Sequence, residues 1–508
     1  MGDGNVQSPL LSEQGGYTSI GDEKKTATRR NIIIAAVAAA VVAVVVVLVV
    51  VLAVAFAPHK VRNDYGIIID AGSSGSRIYV YRWPHRSNRS SIPSVTPVVA
   101  AARATHRFDL LLDGRTITDA VELGSSSRFV LSCFFASLEH FFSHAIFHHR
   151  IKPGIAKVAP AKIHEYLQPL LEYATELVPK KSRPATPFFL FATAGMRVIP
   201  EATQKAILVE VRRSLAATDF NFTYQEQWAR VISGSDEGAY GWVTANYLKG
   251  ILFRDDAPSH VVGALDLGGA SLQITFLPAE TPKNDSYRLV LPNNVFDLYT
   301  HSFLSYGQDM MTRTLMEHAA EQARDADGNI PESVPFPCYL RGYSERINLT
   351  ADGKEHLVVG SGNHSLCSDY QLVAMKLDAP CPVEPCSFDG VYQPPLRGEF
   401  YAMSGFYYTA NFFGFDSNNK TATPSKFFDS AEKFCATSWD DALKEHAEFD
   451  PSFLKAYCLT SSYIYNLLTK GFGFSANEAR IYFTHDINGS SLNWALGGLI
   501  AEASLLPK

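Results

Sequence analysis

Positive charge is not in excess in this sequence. The net charge is −6 and charged residues make up 19% of the 508 positions. The basic footprint of a nucleic-acid-binding protein is therefore missing, and no nucleic-acid partner is expected. Cysteine is nearly absent before Cys338, with Cys133 the one exception. Zinc-finger spacing is absent as well. Cys381 and Cys386 have no His partner at finger-like spacing, and Pro380, Pro382 and Pro385 flank them. Beyond residue 57 no apolar run approaches bilayer length, so no second membrane span is expected, and Ala501–Lys508 carries no anchor.

What the chain does contain begins with polarity. Residues 1–31 are rich in Gly, Ser and charge and are expected to form a cytosolic tail without a fold of its own. Ile32 to Ala57 is an uninterrupted apolar run with no polar face, long enough for a transmembrane helix. It is too long and too far from Met1 for a cleaved signal peptide. Lys24, Lys25, Arg29 and Arg30 precede it; Lys60 and Arg62 follow. That bias predicts a single-pass type II protein, with everything after about residue 58 luminal or extracellular. Seven N-x-S/T sequons, at Asn88, Asn221, Asn284, Asn348, Asn363, Asn419 and Asn488, all follow the run. Six cysteines at 338, 367, 381, 386, 435 and 458 form an even set, as a disulfide framework in an exported domain would, but spacing leaves their connectivity open. Tyr17–Thr18–Ser19–Ile20 has the form of a tyrosine-based sorting signal, a pattern frequent by chance.

Two related segments carry the chemistry. Ile67–Ile69 leads into Asp70–Ala71–Gly72–Ser73–Ser74–Gly75–Ser76–Arg77, and Ala264–Leu265 leads into Asp266–Leu267–Gly268–Gly269–Ala270–Ser271–Leu272–Gln273. Each is an apolar strand ending in Asp, then a Gly/Ser turn, then a second β-prone run, Ile78–Trp83 or Leu272–Phe276. Such a turn brings backbone N–H groups and hydroxyls to phosphate oxygens and presents a carboxylate to a cation. One Asp–Gly turn is common in ordinary hairpins. Two with matching flanks predict two similar lobes closing on one phosphate chain.

Between and beyond these segments, apolar spacing predicts helices at Ala161–Leu177, Ala202–Ala216 and Tyr240–Leu248, and a buried strand at Phe188–Thr193. Ser235–Asp236–Glu237–Gly238 reads as an acidic, Gly-bounded turn near the start of the second lobe. Ala479–Leu506 reads as strand then helix. Residues 122–149 fit poorly: Phe134, Phe135, Phe141, Phe142, His140, His144, His148 and His149 crowd around Cys133. An insertion or a gene-model error accounts for that stretch better than a metal site, and no function is assigned to it.

Five blocks occur in order: Ile69–Arg77, Ala192–Arg197, Ile232–Tyr247, Leu265–Phe276 and Asn493–Gly498. With Cys386–Pro394 and Gly405–Tyr408 they closely resemble the apyrase family, the nucleoside triphosphate diphosphohydrolases, over nearly all of residues 65–500. The resemblance implies an α/β, two-lobed actin/Hsp70-like (RNase H-like) duplication with its active site in the interlobe cleft. The expected plan is a tail (1–31), a membrane helix (32–57), a stalk (58–64), lobe I (65–233 plus about 486–508) and lobe II (234–485). It implies a divalent-metal-dependent hydrolase of nucleoside tri- and diphosphates that stops at the monophosphate.

By the same resemblance, Glu237 is the water-activating carboxylate, and Asp70 and Asp266 hold Ca2+ or Mg2+, partly through water, with Trp494 either beside the metal-water shell or an ordinary core residue. Ser73, Ser74, Gly75, Ser76, Arg77, Gly268, Gly269, Ala270 and Ser271 line the phosphate loops. Gln273 and Thr193 lie near the attacking water. Arg197 is either part of the site or a structural ion pair. Tyr407 or Tyr408 stacks on the nucleobase. The family's local cysteine pairing implies Cys338–Cys367, Cys381–Cys386 and Cys435–Cys458. A single N-terminal anchor resembles the Golgi-type and plant-type members, which often favour diphosphates. A nucleoside-diphosphatase of the secretory pathway is therefore the alternative substrate reading. A kinase on the same fold and a catalytically silent nucleotide-binding protein are the rivals; neither fits a full set of Asp70, Glu237, Asp266, Ser271 and Gln273.

Overall fold

In the computed structural model the chain divides into two units, Met1–Arg62 and Asn63–Lys508. The structure describes residues 62–85, 94–98, 149–216, 220–291, 294–349, 353–415 and 422–503, together with Val44 and Leu48, which are helical and exposed. The remainder of the apolar run, the Tyr17–Ile20 tetrapeptide, the sequons at Asn88 and Asn419, Cys133 and residues 122–148 lie outside the described residues. Among the described residues no helix is long and apolar enough to cross a membrane.

The second unit is built on two six-stranded sheets. The first contains β1 (Asn63–Ala71), β2 (Ser76–Pro84), β3 (Thr96–Pro97), β4 (His149–Ile151), β5 (Phe188–Ala192) and β6 (Ala229–Val231). Their order is β3-β2-β1-β5-β6, with β4 also beside β2. The first strand therefore starts at Asn63, slightly before the expected lobe limit. Ile67, Ile68 and Ile69 are fully buried because both faces of β1 are covered. A strand covered on both faces requires a continuous apolar run, and each such side chain contributes about 1.5–3 kcal/mol. Ile67 and Ile69 pack with Leu167 and Leu170 of α1 (Ile163–Leu177) and Ile207 and Val211 of α3 (Glu201–Ala216), with the short α2 (Ala194–Arg197) between them in sequence. His149, assigned to the anomalous segment by sequence, is an ordinary β4 residue whose ring stacks on Tyr173 at 5.3 Å.

The long helix α4 (Gly234–Leu248) begins earlier than the expected Tyr240. Its start is a capping box: Ser233 Oγ accepts from the Asp236 N–H at 3.0 Å, and Asp236 Oδ2 accepts from the Ser233 N–H at 3.2 Å. The acidic stretch is thus a first helical turn and not a loop. Asp236 serves the cap, which leaves Glu237 to point elsewhere.

The second sheet contains β7 (Gly263–Leu267), β8 (Ser271–Phe276), β9 (Ser286–Val290), β10 (Val295–Leu304), β11 (Phe400–Ser404) and β12 (Ile481–Phe483), in the order β12-β11-β7-β8-β10-β9. One face packs on α5 (Gln308–Gln322) and neighbouring helices through Leu265, Leu267, Ile274 and Leu315. On the other side a second cluster joins the two sheets: Ile68 and Phe191 from one, Phe296 and Met403 from the other. Between them run Tyr240 and Trp242 of α4 and Leu496 and Leu499 of the last helix, Trp494–Glu502. That helix crosses α4 closely enough that a Cβ at Gly497 would lie 2.0 Å from the Tyr240 carbonyl oxygen, so only glycine fits. The Thr244 hydroxyl locks the crossing, donating to the Asn493 carbonyl at 2.7 Å and accepting from the Gly497 N–H at 2.8 Å. This is the expected two-lobed actin/Hsp70-like α/β architecture.

The cysteines pair as Cys338–Cys367, Cys381–Cys386 and Cys435–Cys458, with Cα–Cα distances of 5.0, 5.9 and 4.9 Å. This is the pairing that the resemblance implied.

Candidate active site

The two Asp-bearing hairpins are superimposable in register. In β1–β2, Asp70 pairs with Arg77 and Ala71 with Ser76, and the Gly72 N–H closes the turn on the Gly75 carbonyl at 3.0 Å. In β7–β8, Asp266 pairs with Gln273 and Leu267 with Leu272, and the Gly268 N–H closes on the Ser271 carbonyl at 3.0 Å. The likeness extends to a third strand. Arg77 lies opposite Arg150 of β4, and Gln273 lies opposite Ser302 of β10. Residues directly opposite share a face. Each lobe thus carries one cross-strand row: Asp70–Arg77–Arg150 and Asp266–Gln273–Ser302.

The turns face each other across the cleft. A Cβ at Gly269 would lie 2.6 Å from Ser73 Oγ and 2.5 Å from Asp309 Oδ2. The lobe II turn is held from behind by α5, whose Gln308 and Asp309 N–H groups donate to the Gly268 and Gly269 carbonyls, both at 2.9 Å. Ala270 is tied down by the Ser305 N–H, which donates to its carbonyl at 2.8 Å. On the lobe I side Arg150 Nη2 donates to the Ser74 hydroxyl at 3.1 Å.

Glu237 stands beside the lobe II row, within electrostatic reach of both Asp266 and Asp70. Its Oε2 accepts from Arg197 Nη2 at 2.7 Å and from Gln273 Nε2 at 3.2 Å. Gln273 Nε2 also donates to Ser271 Oγ at 2.6 Å and to Ser302 Oγ at 3.0 Å. Burial pushes the Glu237 carboxyl up to about 8; Arg197 opposes this, and the charges of Asp266 and Asp70 add to it. Arg197 is therefore both an ion-pair partner and a member of the site. Its Nε and Nη1 are buried with no partner among the described residues.

Asp70 and Asp266 are both pushed up by burial, Asp70 to about 6. The Asp266 charge raises Asp70 further, while Arg77, 3.5 Å from Asp70 Oδ2, opposes the rise. A Ser404 hydrogen bond is the largest opposing influence at Asp266. Two buried carboxylates that repel each other suit a hard divalent cation. Among the described residues no cluster of three or more His, Cys, Asp or Glu forms. Asp70 and Asp266 could hold such a cation, with oxygens of water and substrate completing its shell, the usual habit of Mg2+.

Thr193 caps β5 beside the first hairpin, its N–H donating to the Ala71 carbonyl at 3.3 Å. Tyr407 and Tyr408 open α6 (Gly405–Phe412), directly after Ser404. Tyr408 is 57% exposed and lies within electrostatic reach of Arg77 and Arg150. Tyr407 packs on His485 at 4.6 Å. Two expected members pack with the core. Ser76 is fully buried, facing away from Arg77, with its hydroxyl accepting from Tyr166 at 2.9 Å; strand alternation turns it into the core. Trp494 packs in the cluster between the sheets with Tyr240 and Met403.

Sequence reasoning missed Arg150, Ser302, Ser404 and Asp309. Arg150 and Ser302 join the site only through strand pairing. Ser404 has φ 57°, a strained conformation for a non-glycine residue. Its position just before Gly405–Tyr408 was the available signal.

Two carboxylate-bearing turns and a third carboxylate held by Arg and Gln, on a two-lobed fold, define a phosphohydrolase. Comparison with known proteins specifies it. The sequence profile of the GDA1/CD39 (nucleoside phosphatase) family matches residues 57–106 and 137–507, and the chain belongs to that family. The unmatched stretch overlaps the anomalous segment. The chain is 30% identical over 476 residues to ectonucleoside triphosphate diphosphohydrolase 1 of Mus musculus, covering 87% of this chain and 81% of the relative. It is 31% identical over 471 residues to ectonucleoside triphosphate diphosphohydrolase 2 of Gallus gallus, covering 87% and 83%. Among solved structures, a nucleoside triphosphate hydrolase of Neospora caninum aligns over 90% of this chain and 95% of its own, with TM-score 0.55 and 15% identity, a likeness of fold.

Proposed function

We propose that this protein is a membrane-anchored apyrase. It removes the terminal phosphoryl group from nucleoside tri- and diphosphates, in a divalent-metal-dependent reaction, with water activated by Glu237. The observation that carries this reading is the placement of Glu237 between Arg197 and Gln273, beside the two facing turns. Burial raises this carboxyl to about 8, while the Arg197 guanidinium opposes the rise and, with Gln273, favours the charged form that a general base requires. Gln273, fixed by Ser271 and Ser302, orients the water. The water oxygen attacks the terminal phosphorus, its proton passes to Glu237, and the bridging P–O bond breaks toward the next phosphate. Donors of the two turns, with Arg77 and Arg197, hold the phosphoryl oxygens as charge spreads onto them. A Ca2+ or Mg2+ ion held by Asp70 and Asp266 would supply charge neutralisation at the phosphate oxygens. The reaction ends at the monophosphate, which no longer offers two linked phosphates to the paired turns. Tyr407 and Tyr408 offer aromatic faces that accept any base.

The topology proposal is type II, with the catalytic unit luminal or extracellular. The apolar run with its flanking cations and the three disulfides support an exported domain. The test is phosphate release by the full-length protein in detergent from ATP, ADP, GDP, UDP and AMP, with Ca2+, Mg2+ or chelator, beside Glu237→Gln. Metal-dependent release from tri- and diphosphates is expected, none from AMP, and a loss of about 10²–10⁴-fold in the variant. Nucleotide binding without release would refute the hydrolase reading and favour a silent binder.

A further inference from the structure

We propose that Arg150 is a phosphate-binding residue, acting with Arg77 on the phosphoryl oxygens received by the lobe I turn. The inference deepens the apyrase reading and rests on it. Arg150 belongs to none of the recognised sequence blocks. It reaches the site because β4 pairs with β2 and sets it opposite Arg77.

The row Asp70–Arg77–Arg150 holds two guanidiniums and one carboxylate. Arg77 takes that carboxylate, at 3.5 Å. Arg150 makes no ion pair among the described residues. Its contacts are the Ser74 hydroxyl at 3.1 Å and the Ser74 carbonyl at 3.4 Å, both from Nη2, and its Nε is buried without a partner. Asp309, on the lobe II side, lies within its electrostatic reach but not at bonding distance. Half-burying a second cation beside the first is unfavourable unless an anion joins them. The guanidinium fork has five donors suited to phosphate oxygens, and Ser74 uses one of its nitrogens.

Sheet geometry does not require the cation. In lobe II the equivalent position is Ser302, a neutral hydroxyl that accepts from Gln273. The charge at Arg150 therefore answers to a ligand. A merely structural role would make it a strut for the Ser74 turn.

The two roles separate in one experiment on the full-length protein in detergent. Calorimetry gives the Kd for a non-hydrolysable imido analogue of ATP, and thermal unfolding gives the ligand-free midpoint, for wild type, Arg150→Met and Arg150→Lys. Arg150→Met is expected to weaken binding by at least about tenfold, the usual scale of a charge-assisted contact. Its ligand-free midpoint is expected to hold or rise, because repulsion with Arg77 is relieved. Arg150→Lys keeps the charge without the fork and should lose about three- to fivefold, and it carries the test if the Met variant fails to fold. A Kd within about twofold of wild type in the Met variant overturns the proposal. So does weakened binding with a midpoint several degrees lower, which marks a strut. Binding is read without turnover, so absent hydrolysis would sink the enzyme reading while leaving this one standing or falling separately.

Discussion

The two hairpins share a backbone and differ in what they carry. Asp–Arg–Arg crosses three strands in lobe I; Asp–Gln–Ser crosses three strands in lobe II. The Asp stays and its neighbours diverge. The lobe I row gathers positive charge and suits grip on an anion. The lobe II row is neutral beyond its Asp and spends its hydrogen bonds on Glu237 and two serine hydroxyls. On the proposed reading, a duplicated scaffold adds cationic grip on phosphate from one side and the orientation of water from the other.

Exchanging the rows tests that division. Gln273→Arg brings a second cation to a carboxylate already paired with Arg197 and removes the amide proposed to orient the water. A fall in kcat of at least about 100-fold is expected, with nucleotide binding retained, by single-turnover hydrolysis beside equilibrium binding. An equal loss from both would erase the distinction. Arg77→Gln, the reverse change, is expected to raise KM by about tenfold with the smaller effect on kcat. Steady-state kinetics on ADP reads the split.

The smallest effect is on stability and follows from Glu237. Its folded-state value of about 8 lies above the ordinary 4.5. The folded protein then binds the proton more firmly than the unfolded chain. Its stabilising contribution is full below about pH 4.5 and is lost as pH rises through about 8. Without metal or nucleotide, wild-type stability should decline across that window more steeply than that of Glu237→Gln, by denaturant titration at several pH values. Parallel curves would show that this carboxyl does not carry the shift.

The paired Asp turns were legible because strand, carboxylate and turn are contiguous, and a local pattern needs no tertiary knowledge. Glu237 was read in a Gly-bounded turn, although Ser233 and Asp236 spell a capping box three residues apart that starts the helix before it. Ser76 was misassigned because its neighbours Ser73 and Ser74 lie in the turn, whereas it begins the next strand and points inward. Arg150 and Ser302 were not legible. Their membership depends on register between strands distant in sequence, which no local pattern encodes. The disulfide pairing came from the resemblance; six spaced cysteines alone leave it open.

Among the described residues every disulfide joins cysteines 29, 5 or 23 positions apart, and these six cysteines lie from Cys338 to Cys458. None waits for a distant part of the chain. Both sulfurs of each bridge precede the Trp494–Glu502 helix in the chain. The cross-links therefore brace one stretch of the second lobe from within, and the final helix that fills the seam between the sheets is held there by packing and hydrogen bonds, with no cross-link to that stretch.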